Sequence, residues 1–412
     1  MNLSGNSPSP TSASDRNTAY LVLLSGTLII GMGQTIVFAV LPALARRMGL
    51  HDMQVLSIFM TSAVFWVTLG PIWGQLSDRK GRRTFILLGL SAYAVSMTLF
   101  ATVITNGLSG AITGMLLYIA LLVTRSLYGL FGSAMPPAAQ AYIADRTTPE
   151  NRTARLAGFS AAFGLGGMIG PAFAGALASV SEVAPLFGVA ILSFCSILII
   201  SAKVTERSAP KERKAIARLS PTDRRIRLYL IFGFASATVT AIPIQFASFY
   251  VIDRIGISPA DALGAAGIAL STGAGASLFA QIALVQRFNL KPFLLLRAGP
   301  ALLLAGHLAI ALSQDIGALT FGMMLGGLGA GLVTPGYVGA ASLAVSVDEQ
   351  GAVAGLSNAA AASSYIVAPP LGYLIYAINP VFLFIATAGI AASTLVLALC
   401  SPRLGKPPQA TG

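Results

Sequence analysis

Apolar stretches long enough to cross a lipid bilayer recur about twelve times in this chain of 412 residues, and no other feature constrains the fold as tightly. A helix needs roughly 20 apolar residues to span the hydrocarbon core. Such windows fall near 19–43, 54–76, 84–105, 114–143, 156–179, 185–202, 228–250, 262–285, 292–313, 316–341, 352–376 and 380–400. They are long and continuous, unlike the short alternating segments of a membrane β-barrel. The expected fold class is therefore all-α integral membrane, with twelve transmembrane helices. Charged residues make up only 10% of the chain. A soluble domain carries about 25%, and disorder needs low hydrophobicity, so both classes are excluded. Prolines inside the windows (Pro42, Pro136, Pro137, Pro171, Pro243, Pro335, Pro370) are tolerated where neighbouring helices or a cavity satisfy the freed carbonyls.

The charges that remain set an orientation. Twenty-six Lys and Arg against fourteen acids give a net charge of +12. Basic residues flanking spans on the cytoplasmic side explain this excess without nucleic acid. With the N-terminus inside, the inner segments hold Arg79, Lys80, Arg82, Arg83, Arg146, Arg152, Arg155 and the 203–227 group. The outer loops hold only Arg46, Arg47 and Arg254. Both termini are therefore expected to be cytoplasmic. Residues 1–17 read as a polar, disordered cytoplasmic tail, 18–202 and 228–401 as two six-helix bundles, and 402–412 as a second cytoplasmic tail. The stretch 203–227 carries nine Lys and Arg to three acids and reads as a basic cytoplasmic linker.

The two halves repeat. Shifting by 198 residues lays Leu127 on Leu325, Gly129 on Gly327, Pro137 on Pro335 and Glu150 on Asp348. Six spans per copy, both starting inside, are parallel repeats about an axis along the membrane normal. Carriers that work by alternating access have that symmetry.

Between spans 2 and 3 lies Gly74-Gln75-Leu76-Ser77-Asp78-Arg79-Lys80-Gly81-Arg82-Arg83. Physically, Gly74 permits close helix approach, Gly81 a tight turn, and Asp78 can take amide or guanidinium donors. The segment resembles the G-x-L-[SA]-D-R-x-G-R-[RK] signature of the major facilitator superfamily. Arg125 through Gly129 in span 4 is similar to that superfamily's R-x-x-x-G element. In span 5, Gly166, Gly170, Pro171 and Gly175 resemble the glycine–proline element of its drug–proton antiporter branch, with Ala174 replacing one glycine. Asp145 and Arg146 with Glu150 and Arg152 resemble the charged end of span 4 in that branch. The resemblance implies two pseudo-symmetric bundles around a central cavity in a bacterial inner membrane. It also implies a gating charge network among Asp78, Arg82 and Asp145, to which Gly74, Arg79 and Gly81 belong. The second copy of the loop motif, Gln281 to Lys291, is degenerate and lacks the aspartate.

All fourteen acids fall in tails, loops or span ends, a departure from antiporters that use a membrane-embedded carboxylate. Arg125 is the one strong charge within a span: it lies about 20 residues, roughly 30 Å of helix, before Asp145. An unpaired arginine there should face a cavity or a partner, and it favours anionic or neutral substrates. A structural tie to carbonyls or glutamine side chains is the alternative role. Further candidate substrate contacts are Gln34, Phe38, Tyr128, Gln245, Phe249, Asn358 and Tyr365. Asp78, Asp145 and His307 are candidate proton sites, although His307 equally suits a packed position on a peripheral span. Cys195 and Cys400 sit in apolar runs, and no metal, cofactor or enzyme constellation is expected. The expected partners are a small-molecule substrate, protons as coupling ion and the lipid bilayer. The expected function is secondary-active, proton-coupled export of a small organic molecule by a monomer. Alternatives are a dedicated exporter of a carboxylate-rich metabolite such as a siderophore, a metabolite facilitator or importer, and a non-transporting receptor.

Overall fold

The computed structural model describes residues 13–178, 180–206, 219–288, 290–346, 349–401 and 404, and among them all regular structure is helical. Most of the segments expected as tails and linker (1–12, 207–218, 402–403 and 405–412) lie outside the described residues, as do the side chains of Glu150 and Arg152. Twelve helical rods follow in order. They are α1 (Ala13–Arg47), α2 (Asp52–Lys80), α3 (Arg82–Leu108), α4 (Gly114–Asp145), α5 (Pro149–Ala178) and α6 (Ala184–Lys203). Then come α7 (Arg227–Asp253), α8 (Pro259–Val285), α9 (Pro292–Leu312), α10 (Ile316–Leu343), α11 (Gln350–Tyr376) and α12 (Pro380–Cys400).

Eleven of these are long and apolar enough to cross a membrane. The remaining rod, α11, is equally long, but Gln350, Ser357, Asn358, Ser363 and Ser364 dilute its hydropathy. Helix α1 starts at Ala13, inside the segment expected as a tail, because helical hydrogen bonding does not stop where an apolar run stops.

Packing repeats with a period of six helices. The pairs α1–α5, α3–α6 and α3–α4 in the first half have counterparts α7–α11, α9–α12 and α9–α10 in the second. The halves meet along α1–α7, α2–α11 and α5–α8, three pairs that map onto one another when the halves are exchanged, and also along α1–α8, which departs from that symmetry. Two rods change pitch. Tyr128–Gly132 of α4 and Ala280–Gln286, which closes α8 and runs one residue past it, are π-helical. Such segments often mark functional positions, because one extra residue per turn re-aims the side chains beside it.

The glycine–proline element of α5 divides its work. A Cβ on Gly166 or Gly170 would run into the α1 backbone at Leu28 and Met32, so these glycines dock α5 on α1 within one half. Pro171 instead presents its carbonyl to Gly267 of α8, across the boundary between halves. Gly175 has nothing within 4 Å of where its Cβ would lie and makes no close contact, contrary to expectation.

Candidate functional site

The end of the molecule near Arg46 is closed by a polar latch. The Arg46 guanidinium donates to Asp52 at 2.6 and 2.8 Å and to Asp253 at 2.5 and 2.7 Å. It also lies over the Phe249 ring, 5.1 Å from its centroid. Tyr376 donates to the same Asp253 at 2.8 Å, and Ser248 of α7 donates to the Ala39 carbonyl of α1 at 2.8 Å. Four helices, α1, α2, α7 and α11, are thereby tied across both halves. Of these residues only Phe249 stood out in the sequence, and as a substrate contact rather than as part of a latch. Arg46 and Asp253 are 207 positions apart, and only their shared place at span ends hints at a meeting.

At the opposite end the ion pairs seen stay within a half. Arg82 pairs with Asp78 and reaches Asp145 at 3.4 Å, so the three expected gating residues are together. Gly81 adopts φ 105°, a left-handed conformation that favours glycine and breaks α2 from α3. Glu206, which sequence reasoning missed, accepts from the backbone amides of Arg82 and Arg83 at 3.1 and 3.0 Å and so caps α3. Arg79 is exposed. Gly74 makes no close approach: a Cβ there would meet only Pro137, at an ordinary 3.5 Å. In the second half, Arg225 binds Glu349 at 2.8 and 2.9 Å. The Arg225 guanidinium pulls the Glu349 carboxyl down to about 2 and also holds Asp223 below its usual range.

Between the latch and that end lies a cavity of about 480 Å³, lined from both halves. Its walls are mostly apolar and aromatic with a few polar groups, the ordinary make-up of a small-molecule site. Arg125 is the only Asp, Glu, Lys or Arg among the lining residues. It is 2% exposed, donates to Gln34 Oε1 at 2.6 Å, and lies over the Tyr128 ring 4.7 Å from its centroid. Trp66 and Tyr93 pack on the same tyrosine at 5.1 and 5.0 Å. The π-helical turn begins at Tyr128, three residues after this arginine.

Six of the eight expected substrate contacts line the cavity: Arg125, Gln34, Phe38, Tyr128, Gln245 and Tyr365. Two do not. Phe249 shares a helix face with Gln245 but lies one turn closer to the latch, buried against Phe246 and Tyr376. Asn358 lies about two turns before Tyr365, toward the Asp78 end, where it is exposed. Sequence spacing reports a helix face; it does not report depth.

His307 lines the cavity and is 1% exposed. Its Nδ1 lies 2.8 Å from the Leu303 carbonyl and its Nε2 3.0 Å from the Val239 carbonyl. Val239 is four residues before Pro243, which has no N–H to offer it. With the proton on Nε2, the histidine takes over a carbonyl that the proline frees in α7.

Comparison with known proteins converges on one family. The family model described as Major Facilitator Superfamily matches residues 23–314. Multidrug resistance protein 1 of Bacillus subtilis is 26% identical over 66% of this chain and 68% of its own length. The class D tetracycline resistance protein of Salmonella ordonez is 28% identical over 82% of this chain and 85% of its own. Among solved structures, the human organic anion transporter MFSD10 superposes with a TM-score of 0.68 at 19% identity, covering 93% of this chain and 99% of that one. An inward-facing, unoccupied bacterial homologue of the human lysosomal transporter Spinster gives 0.71 at 16% identity, covering 94% of both.

Proposed function

The chain belongs to the major facilitator superfamily, and on that premise we propose that it exports small organic molecules, anionic or neutral, by alternating access. The observation that carries this reading is a cavity between the halves, closed at the Arg46 end by an inter-half latch and holding one buried cation with no carboxylate beside it. The basic residues clustered at the Asp78 end orient that end to the cytoplasm, with both termini, in a bacterial inner membrane. The cavity then faces the compartment from which an exporter loads. Relatives named for multidrug and tetracycline resistance support the outward direction. A solved neighbour named as an organic anion transporter agrees with a cationic site. One chain supplies both walls of the cavity, so a monomer is the working unit.

Protons are the proposed coupling ion. Asp78 and Asp145 sit with Arg82 at the cytoplasmic end, where a proton could loosen the network, and His307 is the candidate within the cavity. Everted membrane vesicles given an acid-inside pH gradient test the proposal with tetracycline as probe. The expected result is accumulation that collapses when the gradient is dissipated. Accumulation only in right-side-out vesicles, or none in either, would overturn it.

A further inference from the structure

Gln245 is a buried amide without a partner. It is 1% exposed, it lines the cavity from α7, and neither its Nε2 nor its Oε1 has a hydrogen-bond partner among the described residues. Arg125, on the other half, is in a similar position. Its Nη2 is given to Gln34, but its Nε is buried without a partner, and no acid lines the cavity with it. An unpaired buried amide and a buried cation that has an amide and a ring but no carboxylate beside it are both costly, so stable folds normally satisfy them. Here they sit on the walls of one cavity, and the surface around them is aromatic and apolar: Phe38, Phe59 and Trp66.

The geometry points to a two-point site for an amphipathic organic anion. A single carboxylate or comparable oxyanion is taken by Arg125. A second group that both donates and accepts, such as an amide, is taken by Gln245, and an aromatic body lies between them. The amide of Gln245 offers one donor face and one acceptor, so it selects groups with the complementary pair. Arg125 offers the planar fork that suits a carboxylate. Because the two anchors belong to different halves, such a ligand bridges them, which neither anchor alone would require. This assignment rests on the exporter reading of the same cavity and narrows it to one substrate class.

The protein carries its own reporter. Its two tryptophans are Trp66, in the cavity wall, and Trp73, whose Nε1 donates to the Leu130 carbonyl at 2.7 Å. In a Trp73→Phe background, quenching of Trp66 emission follows binding to the full-length protein in detergent. Three probes separate the anchors: 6-acetamido-2-naphthoate, its methyl ester, and 2-naphthoate. The acid should bind at least about tenfold more tightly than the ester, as expected for a hydrogen bond to a charged group. The acetamido compound should bind several-fold more tightly than 2-naphthoate. Gln245→Leu should abolish the acetamido preference and keep the acid preference; Arg125→Gln should do the reverse. An ester as tight as the acid, an acetamido preference that survives in Gln245→Leu, or no Trp66 response to the acid would each overturn the assignment. The wild-type comparisons need no variant beyond the reporter. Selective binding without tetracycline transport in vesicles would instead count against the exporter reading alone.

Discussion

Replacing Arg125 with methionine removes a charge whose placement within a bilayer costs about 2.5–3.5 kcal/mol on insertion scales. With one hydrogen bond to Gln34 and one ring contact with Tyr128 to lose, the variant should melt no lower than wild type while anion transport falls at least tenfold. Melting well below wild type would mark the arginine as a structural tie. His307 predicts the opposite sign. His307→Leu leaves the Val239 carbonyl unpaired, a loss of about 1–3 kcal/mol, so the melting temperature should drop. Pro243→Ala restores an amide to that carbonyl, and the double variant should recover much of the loss; simple additivity of the two changes would refute the tie. These sites differ in how far the sequence discloses them. Arg125 was visible because a lone charge in an apolar run is rare. That His307 answers Pro243 was invisible, because the two residues are 64 positions apart and meet only when α9 packs on α7.

At the scale of helices, the glycines of α5 separate packing from composition. Gly170→Ala puts a methyl against the Met32 carbonyl of α1 and should destabilise by about 1–3 kcal/mol, as overpacking does. Gly175→Ala meets nothing and should be neutral, or stabilising by up to about 1 kcal/mol from helix propensity. Thermal melting of the two variants checks both; equal effects would show that the α1–α5 contact is not tight. The link from Arg225 to Glu349, at the start of α11, adds a dependence on pH. The folded carboxyl is depressed to about 2, so the tie is intact above the ordinary carboxylate range and is lost as pH falls through about 2. Glu349→Gln should therefore differ slightly from wild type at neutral pH and converge with it only in strong acid. Number and order of the rods were legible from hydropathy, but not where each one starts and stops: α1 begins at Ala13, ahead of its apolar run. Their depth relative to the cavity was not: Phe249 and Asn358 have side chains of suitable chemistry, but Phe249 lies one turn toward the latch and Asn358 two turns toward the Asp78 end.

Across the whole molecule, the repeat in the sequence became a repeat in packing, and the proposed alternating access requires one half to tilt on the other along α1–α7, α2–α11, α5–α8 and α1–α8. The latch of Arg46, Asp52, Asp253 and Tyr376 was not legible, because it assembles from the ends of four helices. It is the feature that holds this state. Its loss should shift the population toward the opposite opening without any change in the cavity itself. Distances between spin labels measure this directly in a protein whose Cys195 and Cys400 are replaced by serine. One pair, at Met53 and Ile378, sits near the latch, and another, at Lys80 and Leu343, sits at the Asp78 end; all four positions are exposed. Arg46→Gln should lengthen the Met53–Ile378 distance and shorten the Lys80–Leu343 distance together. Two distances that stay fixed, or that move in the same direction, would contradict a carrier whose halves rock about a shared cavity.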